Sequence, residues 1–204
     1  MAKQTRQPNR DSTTRETLID ATVKVMLEEG YAAATSRRVA AEAGVKPALV
    51  HYYFPSMDDL YRAVFRRGAS AYLERQRQAL ASDRPLHAFW DSLIEPKDTR
   101  LVLEFMGLAN HRKEIRTEIA EWTQRWRETQ ATALNFIARE HELDPGEFPP
   151  SAIAVIIAGI GRTLVLEQGL GAHVGHDAAV ELVNRFLDRY EMPAPKAPRT
   201  EATR

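Results

Sequence analysis

At 204 residues and 44% hydrophobic content, the chain has room for one large domain, or for a small one joined to a larger one. Its 28 basic and 28 acidic residues cancel, so no global field draws it to nucleic acid; this argues against a nonspecific DNA coater and leaves room for a local basic edge. The absence of cysteine excludes disulfides, thiolate zinc sites and a cysteine nucleophile together. The N-terminus, MAKQTRQPNR, is polar and unlike a signal peptide. The longest apolar run, residues 152–161, is too short to span a bilayer and meets Arg162. The expectation is a soluble cytoplasmic protein. Scarce strand signals and long stretches of 3.6-residue period give an all-α fold class.

Residues 1–12 read as a flexible, basic-leaning arm with Lys3, Arg6 and Arg10, either a solvated tail or an arm that touches DNA. Thr13-Thr14-Arg15-Glu16 fits a capping box at a helix start. Leu18, Ile19, Thr22, Val25 and Met26 form that helix's apolar face, and Gly30 stops it. A short helical pattern follows, with Val39, Ala40 and Ala43 on one side, capped by Thr35 or Ser36 and ended by Gly44. Pro47 suits the first turn of a second short helix, in which Ala48, Leu49, His51 and Tyr52 carry little charge. Helix, glycine-containing turn and helix make a helix-turn-helix, with a second helix of the size that enters a major groove.

Lys46 breaks a local rule there. It stands at the N-cap with no side-chain oxygen to offer, and places a cation at the positive end of a helix. Such an exception often marks function, so Lys46 is expected to meet a DNA phosphate or base edge; the alternative is an exposed lysine of no consequence. Tyr52 and Tyr53 each carry a hydroxyl for phosphate, with Tyr53 better spaced to be core, and Phe54 packs inward. Of Arg37 and Arg38, one is expected to reach the DNA backbone and the other to be a solvated surface charge. The candidate DNA-binding residues are Thr35, Ser36, Arg37, Lys46, Pro47, Ala48, Leu49, His51, Tyr52 and Tyr53.

The stretch from Thr35 to Leu60, with Ala43-Gly44-Val45, then Tyr53-Phe54-Pro55-Ser56, then Leu60, resembles the DNA-binding signature of the TetR family of one-component transcriptional repressors. It departs from that signature at Lys46, where serine is usual, at His51, where tyrosine is usual, and at Met57, where a phosphate-facing lysine is usual. The resemblance implies an N-terminal three-helix DNA-binding domain over 13–55 and a helical-bundle domain over 56–192 for ligand binding and dimerisation. It also implies a palindromic operator bound by a homodimer, a small apolar or amphipathic effector, and a last pair of helices that join their copies in a four-helix interface.

Ser56-Met57-Asp58-Asp59 caps the next helix, which Leu60, Tyr61, Val64, Phe65, Tyr72 and Leu73 carry to about residue 81. In the family this helix connects the two domains and is the expected lever. Pro85 restarts the chain, and Leu86, Phe89, Trp90, Leu93 and Ile94 share a face that Pro96 ends. Residues 98–109 are nearly all apolar, so their helix is expected to be buried on most sides. Glu104 interrupts it and needs a partner: an arginine in a structural salt bridge, or a ligand. A long helix runs from Lys113 to about Glu142, with Ile115, Ile119, Trp122, Trp126, Thr129, Ala133 and Phe136 along one seam; its tryptophans are core or line a cavity. Asp144-Pro145-Gly146 turns the chain, and Pro149-Pro150-Ser151 begins a helix whose Gly159 and Gly161 point to close approach of another helix. Asp177 begins the last helix, with Ala179, Leu182, Val183, Phe186, Leu187 and Tyr190 on one face. Residues 193–204, PAPKAPRTEATR, read as a disordered tail.

Catalytic chemistry has no foothold in the sequence. None of the six histidines follows a glutamate by three residues, as a di-iron bundle requires. His173-x-x-His176 has metal spacing but sits among glycines without a carboxylate nearby, so no metal is expected. No nucleophile elbow or phosphate loop is present, and Gly159-Ile160-Gly161 follows no strand. No enzymatic activity and no cofactor are expected. Layout and size nominate Trp90, Leu103, Met106, His111, Trp122, Trp126 and Arg162 for the effector pocket, and Ile156, Ile160, Leu164, Leu182 and Phe186 for the dimer interface. Two other readings stay open: a ligand-independent DNA-binding protein of the same fold, and a helical small-molecule binder or enzyme with a vestigial DNA head.

Overall fold

The computed structural model describes residues 8–191 apart from 141, 145 and 148. Lys3, Arg6, the side chain of Arg10 and the tail 193–204 lie outside the described residues. The described chain is helical throughout, in the order α1 (Pro8–Glu29), a 3-10 turn (Tyr31–Ala33), α2 (Ser36–Glu42), α3 (Pro47–Tyr53), α4 (Met57–Leu80), α5 (Pro85–Leu93), α6 (Pro96–His111), α7 (Lys113–Glu140), α8 (Pro150–Gly169) and α9 (His176–Glu191). No strand occurs among the described residues.

The first core joins α1, α2 and α3 to the start of α4. Leu18, Ile19, Val25 and Met26 of α1 meet Val39 and Ala40 of α2, Val50 of α3, and Leu60, Tyr61 and Val64 of α4. Phe105, Leu108 and Ile115 from α6 and α7 close it from the other side. The boundary expected between residues 55 and 56 thus falls inside a core, because the first turns of α4 are needed to cover the DNA-side helices. A second core packs α5, α7, α8 and α9 through Leu86, Phe89, Trp90, Leu134, Ile157 and Leu187. Burying a side chain of this size contributes about 1.5–3 kcal/mol each.

Four expectations need correction. Helix α1 begins at Pro8, inside the stretch read as an arm. The Thr13 motif is therefore mid-helix, and the Thr13 carbonyl accepts the Thr17 hydroxyl instead of the motif capping an end. In α7 the seam holds through Trp126 and then shifts, so that Gln130, Leu134 and Ile137 are buried and Phe136 is 62% exposed. A straight helix advances by 3.6 residues, and the 3.5-residue stepping of the sequence seam drifts off the buried face over this length. Helix α6 is less buried than its composition suggests, with Val102 and Met106 exposed, because that face borders a cavity.

Helix α8 also runs on past the apolar run 152–161: Arg162 interrupts the apolar sequence without ending the helix. Among the described residues it is the one helix long and apolar enough to cross a membrane, by length and composition alone. Its inner face is core, and Gly161 fits where a Cβ would sit 3.1 Å from the Leu93 carbonyl oxygen of α5. Its outer face carries exposed Val155 and Ile156. Gly159 has open space beside it, so the close approach expected at both glycines occurs within the subunit only at Gly161.

Candidate DNA-reading helix and effector cavity

The turn between α2 and α3 follows from local chemistry. The Thr35 hydroxyl accepts the Arg38 N–H at 3.3 Å and fixes the start of α2. Gly44 takes φ 66°, a left-handed conformation that glycine adopts without a Cβ clash. The chain then bends enough for the Val45 N–H to reach the Ala40 carbonyl at 2.9 Å. Val50 and Phe54 anchor the inner side of α3 in the first core. The other side of α3 is left outside: Lys46, Pro47, Ala48, Leu49 and His51 are exposed, and Tyr52 is 51% exposed. Lys46 is the N-cap residue and makes no capping bond, so its ammonium serves no purpose within the turn.

Electrostatics separates the two arginines of α2. Arg38 bridges Glu29 of α1 and Glu42 of its own helix, at 2.5 and 2.9 Å. Those hydrogen bonds, first from Glu29 and then from Glu42, raise its pKa above the ordinary arginine value. It is a docking strut, not a solvated charge. Arg37 is exposed and forms no ion pair among the described residues. Thr35 is exposed and Ser36 half-buried beside it. Tyr53 is half-buried against the first core, with its ring edge-on to Tyr52 at 5.0 Å. Met57, where the related signature carries lysine, packs on the same core.

Between the two cores the helices leave a cavity of about 140 Å³. Helix α4 presents Phe65, Gly68 and Tyr72 to it, and α6 presents Leu101, Phe105 and Met106. Trp122, Trp126, Arg127 and Gln130 come from α7, and Ala158 and Arg162 from α8. Of the sequence-nominated pocket residues, Met106, Trp122, Trp126 and Arg162 line this cavity. The other three do not. Trp90 is fully buried in the second core, and Leu103 is half-buried and is not part of the cavity wall. His111 sits exposed at the end of α6 with its ring 6.3 Å from that of Tyr31. Sequence reasoning missed Arg127 and Gln130. Their signal was a polar glutamine where the apolar stepping of α7 continues after Trp126.

Glu104 points to neither an arginine nor the cavity: its carboxylate accepts the backbone N–H of Tyr31 at 2.7 Å. Arg100 of the same helix donates to the Leu27 carbonyl at 2.8 Å, and Gly107 leaves room for the Tyr31 ring, which an added Cβ would approach to 2.8 Å. One face of α6 thus grips the junction of α1 and α2 while the opposite face borders the cavity.

The nominated dimer residues divide as well. Ile156 and Leu182 are 58% and 61% exposed, Ile160 and Phe186 are half-buried against the second core, and Leu164 is inside that core. His176 meets a carboxylate that the sequence did not suggest, its Nε2 lying 2.8 Å from Glu167. No group of three metal-ligating side chains forms among the described residues.

Comparison with known proteins agrees with this geometry. Residues 18–64 match the model of bacterial regulatory proteins of the tetR family. The chain is 25% identical over 186 residues to the transcriptional regulator BetI of Rhizobium meliloti, covering 86% of this chain and 88% of that one. Its fold is similar to that of a TetR transcription regulator from Haloarcula marismortui, with TM-score 0.69, 21% identity, and coverage of 87% and 98% of the two chains. It is similar also to a transcriptional regulator from Saccharomonospora viridis solved in complex with choline, with TM-score 0.68, 21% identity, and coverage of 88% and 95%.

Proposed function

For a chain that belongs to the TetR family of DNA-binding transcriptional regulators, we propose repression from a palindromic operator, bound as a homodimer and released by a small apolar or amphipathic effector. The observation that carries this reading is the outward face of α3: one side chain in its middle, Val50, is buried, while Lys46 to Leu49 and His51 to Tyr52 stay exposed. Seven residues of helix extend about 10 Å, a length suited to a major groove about 12 Å wide. Lys46, Arg37 and the Thr35 hydroxyl would contact phosphates and set the register; Pro47, Ala48, Leu49, His51 and Tyr52 would face base edges and sugars.

Pairing of subunits through α8 and α9 is supported by the apolar side chains left outside there, Val155, Ile156, Leu166 and Leu182. Two copies of α3 would then sit in successive major grooves about 34 Å apart, or a multiple of that. The aromatic cavity between α4, α6, α7 and α8 is the effector site in this reading. An effector that prefers one setting of α6 and α4 would shift the spacing of the DNA heads by its differential affinity for the two states. The grip of Glu104 and Gly107 on Tyr31 is the contact through which α6 would act.

A gel shift of the purified chain on the DNA upstream of its own gene tests the proposal. A specific complex that protects a palindrome, weakens steeply with salt and fits two subunits per site is expected. A complex with no sequence preference, or none at all, overturns it.

A further inference from the structure

The cavity's polar groups are almost all donors, and none is an acid. Arg127 and Arg162 line it, Arg75 is exposed beside it, and no aspartate or glutamate is part of its wall. Among the described residues neither Arg127 nor Arg162 meets a carboxylate. Arg127 donates only to the Gln130 side-chain oxygen at 3.1 Å and the Ala154 carbonyl at 2.8 Å. The indole N–H of Trp126, also in the wall, is buried and has no acceptor. A buried donor without an acceptor is costly and uncommon in a native protein. Two guanidinium groups sharing an apolar cleft lack the counter-charge that such groups normally have. Burial, and after it the neighbouring Arg162, holds the pKa of Arg127 below the ordinary arginine value, so the two groups already feel each other.

The rings raise the opposite option, an aromatic cage for a quaternary ammonium. Two of the ring faces are already taken, because the Arg75 guanidinium lies over Tyr72 at 5.7 Å and that of Arg125 over Trp122 at 5.3 Å. Arg125 stands outside the cavity, but an incoming cation would meet Arg75 as well as Arg127 and Arg162.

Taking the cavity as the effector site of the proposed regulator, we propose that its ligand is a small carboxylate on an aryl or short alkyl body. The carboxylate lies between Arg127 and Arg162 with the Trp126 N–H as a third donor, and the body lies against Phe65, Phe105 and Trp122. A site of about 140 Å³ is close to the ~150 Å³ that accepts a benzene ring, which sets the size of the body.

The test is calorimetry on the full chain with phenylacetate, 2-phenylethanol and benzyltrimethylammonium, three ligands that share a ring and differ in charge. Phenylacetate is expected to bind at least about tenfold more tightly than the alcohol, and the ammonium not at all. Arg162 makes no contact that the fold requires, so Arg162→Met and Arg162→Gln should both fold, keep the alcohol affinity within about twofold, and lose most of the preference for the acid. The ammonium matching or exceeding the acid overturns the inference, as does full preference in both variants. If the ring series is silent, octanoate, octanol and octyltrimethylammonium extend the body, and silence in both series also overturns it. Operator binding is scored separately by gel shift on the same protein. A preference for the cation beside intact operator binding defeats this inference alone, whereas absent operator binding beside a preference for the acid defeats the proposed function and leaves the ligand class standing.

Discussion

The carboxylate of Glu104 accepts the Tyr31 backbone N–H at 2.7 Å, across 73 residues of sequence. One partner belongs to the helix that borders the cavity, the other to the turn from which the helix-turn-helix departs. A single charge-assisted hydrogen bond therefore spans the cavity's wall and the DNA head, and it stands beside the close contact of Gly107 with the Tyr31 ring. Removing the acceptor strands a partly buried N–H. Glu104→Ala is expected to destabilise the chain by about 1–3 kcal/mol, read as a lower urea midpoint at unchanged slope. Glu104→Gln, which keeps an acceptor oxygen, should recover most of the loss. If α6 transmits the effector signal, Glu104→Ala should also narrow the ratio of operator affinities with and without effector. A ratio equal to that of the parent chain would remove this contact from the mechanism.

Lys46 separates a DNA role from a folding role by the sign of its effect. Serine at that position offers the capping oxygen that lysine lacks, a gain of typically ~1 kcal/mol in stability. If Lys46 meets a phosphate as proposed, the same change deletes that contact in each subunit of the dimer, so Lys46→Ser should bind operator more weakly, with the slope of log affinity against log salt shallower by about 1.8. Thermal melting and a salt series on one preparation check both. Unchanged affinity and slope would make Lys46 an ordinary surface lysine.

The outer face of α8 and α9 makes an equally separable prediction. Within one subunit Gly159 has open space beside it, and alanine in a helix interior is favoured over glycine by up to ~1 kcal/mol. Gly159→Ala should therefore stabilise an isolated subunit, and should destabilise one whose partner packs against that glycine. Ile156→Glu and Leu182→Glu would leave the subunit fold intact, since both side chains are exposed, while sedimentation shifts to the monomer and operator affinity collapses. A dimer that persists in the double variant would place the interface elsewhere.

The docking of α2 on α1 has a pH dependence with a defined sign. Lys24 of α1 and Arg38 of α2 both hydrogen-bond Glu42, and these bonds, Lys24 first, lower its pKa below the ordinary value near 4.5. A folded-state pKa below the unfolded one contributes stability that is present above the unfolded pKa and lost as pH falls through the folded one. Stability should therefore decline with acid below about pH 4.5, and Glu42→Gln should flatten that part of the curve. A parallel decline in the variant would assign the acid loss to other carboxylates.

The helix-turn-helix was legible because its determinants are local. Thr35, Gly44 and Pro47 each act on a backbone within four residues of themselves, and the burial of Val50 follows from spacing alone. The fate of Arg38 was not legible, because Glu29 reaches it only once α1 and α2 have crossed. The cavity was half legible. Trp122 and Trp126 stand on the buried side of α7 for any straight helix, and Arg162 had to meet something on an apolar helix. Size and hydrophobicity do not say that the Trp90 ring turns into the second core, nor does sequence show that His111, in the last turn of α6, stands in solvent beyond the cavity. Arg127 escaped notice because its meaning depends on Arg162 of α8 and on the lack of an acid on four separate helices, which only packing reveals.

The distribution of the three tryptophans gives the chain its own optical probe. Two indoles border the cavity, and the third, Trp90, is sealed in the second core. Anything that enters will alter the emission of the first two against a steady background from the third. Occupancy can then be followed by fluorescence on the unlabelled protein, in real time and with operator present, and Trp126→Phe would remove one of the two reporters without touching the reference.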